Sequence, residues 1–278
     1  MYRKLLYCFA FCFSFGLCAD ELIQRSVTGG MSSYLEVCKK AVADPYYFQN
    51  FRSLPEYWPI LECGCEAESA SYLLKNGSQQ TLQKLDAIRK LEKYGNPVTH
   101  NLSGVGRFSG TTLRYIVIGD HIGNLFDLPK NPTIAEIGAG FGGQCYVLSQ
   151  LTPFSKYYIY DLPEVEGLIG KMMKTMSVSN VELMGLNDLL PEEKVDLVIS
   201  NYAFSECDLS TQLSYFERVM QKGVRGYVIF NLAGGFEHLS SCEFYQMLDE
   251  HGMNPQVLDE PVFTYDGNLL LIWDKTKE

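Results

Sequence analysis

Two hydropathy rhythms divide the chain. Up to about residue 130, apolar positions recur at three- and four-residue spacing, which predicts helices separated by turns. Residues 32–42 (SSYLEVCKKAV) show this spacing and open on serines that predict an N-cap. The stretch from Asp44 to Ile60 is aromatic and broken by prolines, so it is expected to be irregular. SASYLLKNG and SQQTLQKLDAIRKLEKYGNP predict two more helices, the second stopping at Gly95-Asn96-Pro97. Ser109 then caps a helix that ends in a Pro/Asn linker before residue 133.

Beyond Pro132 short apolar runs alternate with amphipathic segments. TIAEIG, YYIYD, VELM, VDLVIS, RGYVIFN, NPQVLDE and NLLLIWD read as strands. Helices are expected between most of them, though not between VELM and VDLVIS, and that alternation predicts a mostly parallel sheet covered on both faces. Only PVFTYDG joins the last two strands, too little chain for a helical crossover. The final strand should therefore run antiparallel. The expected fold class is α/β: a Rossmann-like domain over residues 131–278, behind a helical N-terminal or lid region over residues 20–130.

The leader changes the picture. Arg3 and Lys4 precede an unbroken apolar run from Leu5 to Leu17, followed by Cys18, Ala19 and the acidic Asp20-Glu21. That is the pattern of a secretory signal peptide over residues 1–19, or of an N-terminal anchor if it is not cleaved. Cleavage implies a periplasmic or secreted protein. Retention implies a cytoplasmic-side protein that meets the membrane only through this leader.

The 278 residues are 46% hydrophobic and 20% charged, an ordinary globular composition. A net charge of −10 argues against nucleic acid as a partner, since phosphate contacts need a basic surface. Nine cysteines occur, three of them in the leader. The remaining six would permit disulfides in an exported chain, but Cys145 and Cys207 fall inside the apolar pattern and read as buried thiols. Four histidines argue against a histidine-based metal site, and none is assigned.

The chemistry concentrates in EIGAGFGGQCYVLSQL, residues 136–151, between the first strand and its helix. Gly138, Gly140, Gly142 and Gly143 let the backbone turn sharply and approach a ligand, and the helix N-terminus offers free N–H groups. Gly138, Gly140 and Gly143 satisfy G-x-G-x-x-G, the dinucleotide fingerprint. Asp161 closes the next strand, about 20 residues on, where an acid accepts hydrogen bonds from ribose hydroxyls. Leu162 follows it. NAD and S-adenosylmethionine both fit this much. Glu136 favours the second, because an acid there can hold the ammonium of a methionine tail, whereas NAD-binding strands carry an apolar residue at that place.

EIGAGFGG, YDLPEV and DLVISNYAFSE together resemble successive motifs of class I S-adenosylmethionine-dependent methyltransferases. SGTTLRY, SNYAFSE, GYVIFN and NLLLIW further resemble the sugar O-methyltransferase family, over roughly residues 105–274. The resemblance implies a seven-stranded sheet, S-adenosyl-L-methionine as cofactor and a small hydroxylated acceptor such as a sugar. The leader departs from that pattern, because the cofactor is made in the cytoplasm.

Candidate residues follow from the strand ends. Asn201 and Tyr202 leave the fourth strand and are placed to touch the cofactor or the acceptor. Glu206 and His238 are the candidate bases, a role that would help a hydroxyl nucleophile. Asp208 reads rather as a helix cap. Asp188 is expected near the adenine. Arg114 and Tyr115, on the preceding helix, are expected to face the substrate, with Arg114 pairing with the cofactor carboxylate or an acidic sugar. Two other readings stay open here: an NAD(P)-dependent oxidoreductase, and a non-catalytic exported binding protein that keeps the fold.

Overall fold

The computed structural model describes residues 26–231 and 236–277. The expected leader and its cleavage site lie outside the described residues. Helix α1 (Ser32–Ala43) buries Tyr34, Val37, Cys38 and Ala41, the i, i+3, i+4, i+7 face that the spacing predicts. No side chain caps it, and Met31 rather than a serine stands at the N-cap. The segment expected to be irregular holds two short helices, α2 (Pro45–Asn50) and α3 (Trp58–Leu61). Asp44 caps the first by accepting from the Tyr46 amide, and Pro45 at the first helical position needs no partner for its nitrogen.

Helices α4 (Glu66–Asn76) and α5 (Gln79–Ile88) follow. A 3-10 turn extends α5 to Lys93. Then comes an element the hydropathy pattern does not predict, a hairpin of β1 (His100–Leu102) and β2 (Gly106–Phe108). Three-residue strands are too short to show a period of two. Helix α6 (Gly110–Leu125) begins at Ser109, whose hydroxyl accepts from the Thr112 amide as the sequence suggests.

From residue 133 the expected alternation appears in full. Strand β3 (Thr133–Ile137) leads to α7 (Gly143–Leu151), and β4 (Lys156–Tyr160) to α8 (Pro163–Thr175). Then follow β5 (Val181–Met184), β6 (Val195–Asn201), α9 (Leu209–Arg218), β7 (Gly223–Phe230), α10 (Ser241–Glu250), β8 (Gln256–Leu258) and β9 (Leu269–Asp274). Seven of these strands form one sheet in the order β5-β4-β3-β6-β7-β9-β8. The pairs from β5 to β7 are parallel, and β9 runs antiparallel to both of its neighbours. This is the Rossmann-like methyltransferase sheet, and the strand order reverses direction beside β3, between β3 and β6.

Alternate residues of each strand enter different cores. Ile134, Tyr157, Ile159, Leu197 and Ile199 face a layer built with α1, α6, α7 and α8. Ala135, Ile137, Tyr158, Tyr160 and Val198 face α9 and α10. Glu136 shares the face of Ile134, so it is buried beneath the N-terminal helices.

A buried ion cluster joins those helices to the sheet. Arg52 has no exposed surface. Its Nε donates to Glu62 at 2.5 Å, one Nη donates to the Ser109 hydroxyl at 2.8 Å, and Glu92 lies 3.7 Å from the other. The guanidinium also lies over the ring of Phe141 in the glycine loop, 4.8 Å from its centroid. Removing one member of such a cluster strands the rest without compensation. The Arg52→Ala variant is expected to lose about 3–5 kcal/mol of stability, measured as a lowered urea midpoint. An unchanged midpoint would show that the cluster contributes nothing net.

Candidate functional site

A cavity of about 610 Å³ opens at the carboxyl ends of β3, β4 and β6. That is where ligands bind in open α/β sheets, beside the reversal in strand order. Its volume suits a single small ligand or cofactor.

The glycine loop forms its floor. Gly138 and Gly140 line the cavity with φ of +76° and +60°, a region that side chains rarely enter. The loop is bare for protein neighbours as much as for a ligand. A Cβ on Gly138 would stand 2.0 Å from the Ala203 Cβ, and one on Gly140 2.8 Å from Leu61. Gly142, expected among the cofactor-binding residues, is not in the lining. Its α-carbon faces Met173 and Ile169 of α8, where a Cβ would come within 2.7 Å and 3.3 Å of their side chains.

Asp161 is buried and held by the same loop. Its Oδ2 accepts from the Gly140 amide at 3.0 Å and its Oδ1 from the Leu162 amide at 2.7 Å. Burial pushes the carboxyl up to about 6, against the pull of these amides. The Ala139 amide pulls on it as well, which still leaves lone-pair capacity on the carboxylate for a further donor. The Asp161 side chain does not cap α8, because Leu162 stands at that N-cap. Leu162 lines the cavity beside it.

Glu136 stands at the end of β3, only 1% exposed. The Tyr157 hydroxyl donates to its Oε2 at 2.7 Å. Burial raises the carboxyl to about 8. No Lys, Arg or His lies within ion-pair distance of it among the described residues. An acid in this condition gains from any cation delivered to the cavity.

The loop after β6 forms the opposite wall. The Ser200 hydroxyl donates to the Ile137 carbonyl and accepts from the Phe204 amide, locking this loop to the end of β3. Asn201 lines the cavity, and its Nδ2 lies 3.5 Å from the buried Gln144 Oε1. Tyr202 sits at φ +72°, in the left-handed region, a strained position for a bulky residue. Its ring lies under the Arg114 guanidinium, 5.0 Å from the centroid, and its hydroxyl meets Thr264 at 3.3 Å. Tyr115 also lines the cavity and packs on Phe141.

Glu206, one of the two candidate bases, is part of the cavity wall. It accepts from the Asn231 Nδ2 at 2.9 Å and is raised by burial. His238, the other candidate base, does not enter the lining. Its Nδ1 lies 2.7 Å from the Phe236 carbonyl in a partly exposed loop. Asp208 caps α9 through the Thr211 amide, as expected. Asp188 also falls outside the lining, because its carboxylate closes a tight turn onto the Gly185 amide at 2.7 Å.

Other lining residues carried no local sequence signal: Tyr34 and Leu61 from the N-terminal helices, and Thr264, Tyr265 and Asn268 before β9. Ser26 pairs with Cys207 as an isolated β-bridge, and the Val27 amide donates to the Glu206 carbonyl. The described chain thus starts in the cavity wall. Cys145 and Cys207 are buried free thiols, as their setting suggested.

No family model matches the sequence, and no curated protein is similar to it. Solved structures resemble the fold. An O-methyltransferase family protein from Burkholderia thailandensis is 12% identical with a TM-score of 0.48, over 60% of this chain and 57% of that one. The match therefore spans little more than half of that protein's length. A SAM-dependent methyltransferase from Aquifex aeolicus is 18% identical with a TM-score of 0.46, over 68% of this chain and 97% of that one. A protein described as PigF with SAH is 13% identical with a TM-score of 0.45, over 75% and 66%. The fold assignment rests on the strand order, not on these scores.

The two buried acids each add a pH dependence to stability. Both have folded values above their unfolded ones, so the folded state holds more protons and loses stability as pH rises. For Asp161 the loss ends near pH 6, and for Glu136 it continues to about pH 8. The melting temperature of the ligand-free wild type should therefore fall relative to that of Glu136→Gln as pH rises to about 8. Parallel curves for the two proteins above pH 6 would show that Glu136 is not the group responsible.

Proposed function

We propose that the chain is an S-adenosylmethionine-dependent O-methyltransferase acting on a hydroxyl of a sugar or a related small molecule. The observation that carries this reading is Glu136. It is a buried acid without a cation, at the floor of a glycine-lined cavity that also holds Asp161. A dinucleotide site has no use for a charge there, so the oxidoreductase reading is set aside.

The residues present suit the cofactor. Glu136 would hold the ammonium of its methionine end, and an arriving cation would favour the ionised carboxylate. Asp161 would accept from the ribose hydroxyls with its remaining lone pairs. Leu162, Leu61 and Tyr34 offer apolar surface for the adenine. When bound, S-adenosylmethionine supplies a methyl group already activated as a sulfonium, which leaves the protein mostly the work of positioning.

Glu206 is the proposed general base. Burial lifts its carboxyl toward the working pH, which improves it as a proton acceptor. The Asn231 amide orients it by donating to one oxygen. Asn201 and Tyr202 would align the acceptor hydroxyl from the β6 side.

Calorimetric titration of S-adenosylhomocysteine into the full chain tests the reading directly. Saturable binding is expected, weakened by roughly tenfold or more in Asp161→Ala through the loss of charge-assisted hydrogen bonds. Glu206→Gln should bind it as the wild type does. A folded wild-type chain that releases no binding heat would overturn the proposal.

A further inference from the structure

The cavity wall around Arg114 has a composition that the cofactor does not account for. Among the described charged residues that line the cavity, Glu136, Asp161 and Glu206 are acids and Arg114 is the one cation. Arg114 has no carboxylate within 4.0 Å among the described residues, and its Nε is buried without a hydrogen-bond partner. The neighbouring group that acts most strongly on its charge is Cys63, whose own thiol is lowered by a hydrogen bond with Cys65 and then by Arg114. A sulfur is a weak acceptor and leaves the planar fork of guanidinium donors unfilled.

The surroundings of Arg114 belong to the β6, β7 and β9 side of the sheet. Its guanidinium lies over Tyr202, whose hydroxyl meets Thr264. Thr264 accepts from Asn268 at 3.0 Å and donates to Glu260, which anchors this loop from behind. Asn201 and Asn268 also line the cavity and offer side-chain amides to hydroxyls. At the rim, Tyr265 is 69% exposed although it lines the cavity, so one ring face is free to cover an apolar surface.

We infer that Arg114 is the anchor of an acceptor subsite for a polyhydroxylated carboxylate, of the uronic-acid class. This rests on the proposed function and narrows its acceptor. Arg114 takes the carboxylate through its planar fork, Asn201 and Asn268 take hydroxyls, and Tyr265 covers the ring carbons. A monoanion is favoured over a phosphate ester. One guanidinium can balance a single charge, and a second would stay unbalanced in a cavity whose other titratable groups are acids. The subsite lies against Tyr202, on the same loop as Glu206, so an acceptor held there presents its hydroxyls toward the proposed base.

The test titrates D-glucuronate and D-glucose into the full chain, with and without saturating S-adenosylhomocysteine, for wild type, Arg114→Gln and Arg114→Lys. Glucuronate should bind wild type about tenfold or more tighter than glucose, the scale of a charged hydrogen bond. Arg114→Gln should erase that preference, and Arg114→Lys should restore part of it. Far-ultraviolet dichroism establishes that each variant is folded. S-adenosylhomocysteine and 5′-methylthioadenosine are titrated into the same proteins. Weaker S-adenosylhomocysteine binding in Arg114→Gln, with methylthioadenosine unaffected, would assign Arg114 to the cofactor carboxylate and overturn the inference. Equal binding of glucuronate and glucose by wild type would also overturn it. A glucuronate preference that depends on Arg114, in a chain that binds no S-adenosylhomocysteine, would uphold the subsite and remove the proposed function.

Discussion

The guanidinium of Arg52 holds the cavity in shape. It is wholly removed from water and faces two carboxylates, the hydroxyl that caps α6, and the ring of Phe141 in the glycine loop. Three parts of the chain far apart in sequence therefore meet one charge. The N-terminal helices bring Glu62 and Glu92, α6 brings its own first turn, and the sheet brings the loop that floors the cavity. Burying a cation is costly, and the cost is offset only while every partner is in place. A slack version of this arrangement would be worse than none, so the start of α6 has one position relative to the glycine loop. Arg114 and Tyr115 lie within two turns of that start, and their aim into the cavity follows from it.

The glycine loop shows how close packing and ligand binding share one device. Of the three fingerprint glycines, Gly138 makes room for Ala203, Gly140 for Leu61 and Gly143 for the ring of Tyr115. Each contact is to a different layer: the loop after β6, the short helix α3, and α6. Stripping the side chains lets all three close on the end of β3. The cavity is what remains between them, which is why its walls come from both the sheet and the helices before it.

The sheet was legible because its signal is periodic. Seven apolar runs, most of them spaced by helical segments, leave little freedom of topology, and the short link before the last run dictates its direction. The Ser109 cap and the Asp208 cap were legible because capping is local. The cavity walls were not. Tyr34, Leu61 and Asn268 look like ordinary core or loop residues until the chain folds, since what makes them part of the site is distance in space. Asp188 and His238 show the converse. A polar residue just past a strand end looks the same in sequence whether it faces a ligand or satisfies its own backbone, and here both turn to nearby backbone atoms. The β1–β2 hairpin escaped notice because three residues cannot display an alternation.

Tyr202 carries a consequence of another kind. Its backbone sits where glycine would rest without strain, yet its ring supports Arg114 and its hydroxyl reaches Thr264. Conformational comfort and the geometry of the cavity pull this position in opposite directions. A lineage selected only to stay folded would drift toward glycine here and gain stability as it lost the wall. A large aromatic ring in a left-handed turn therefore spends folding stability on the shape of the cavity wall, a cost written in the backbone instead of in a motif.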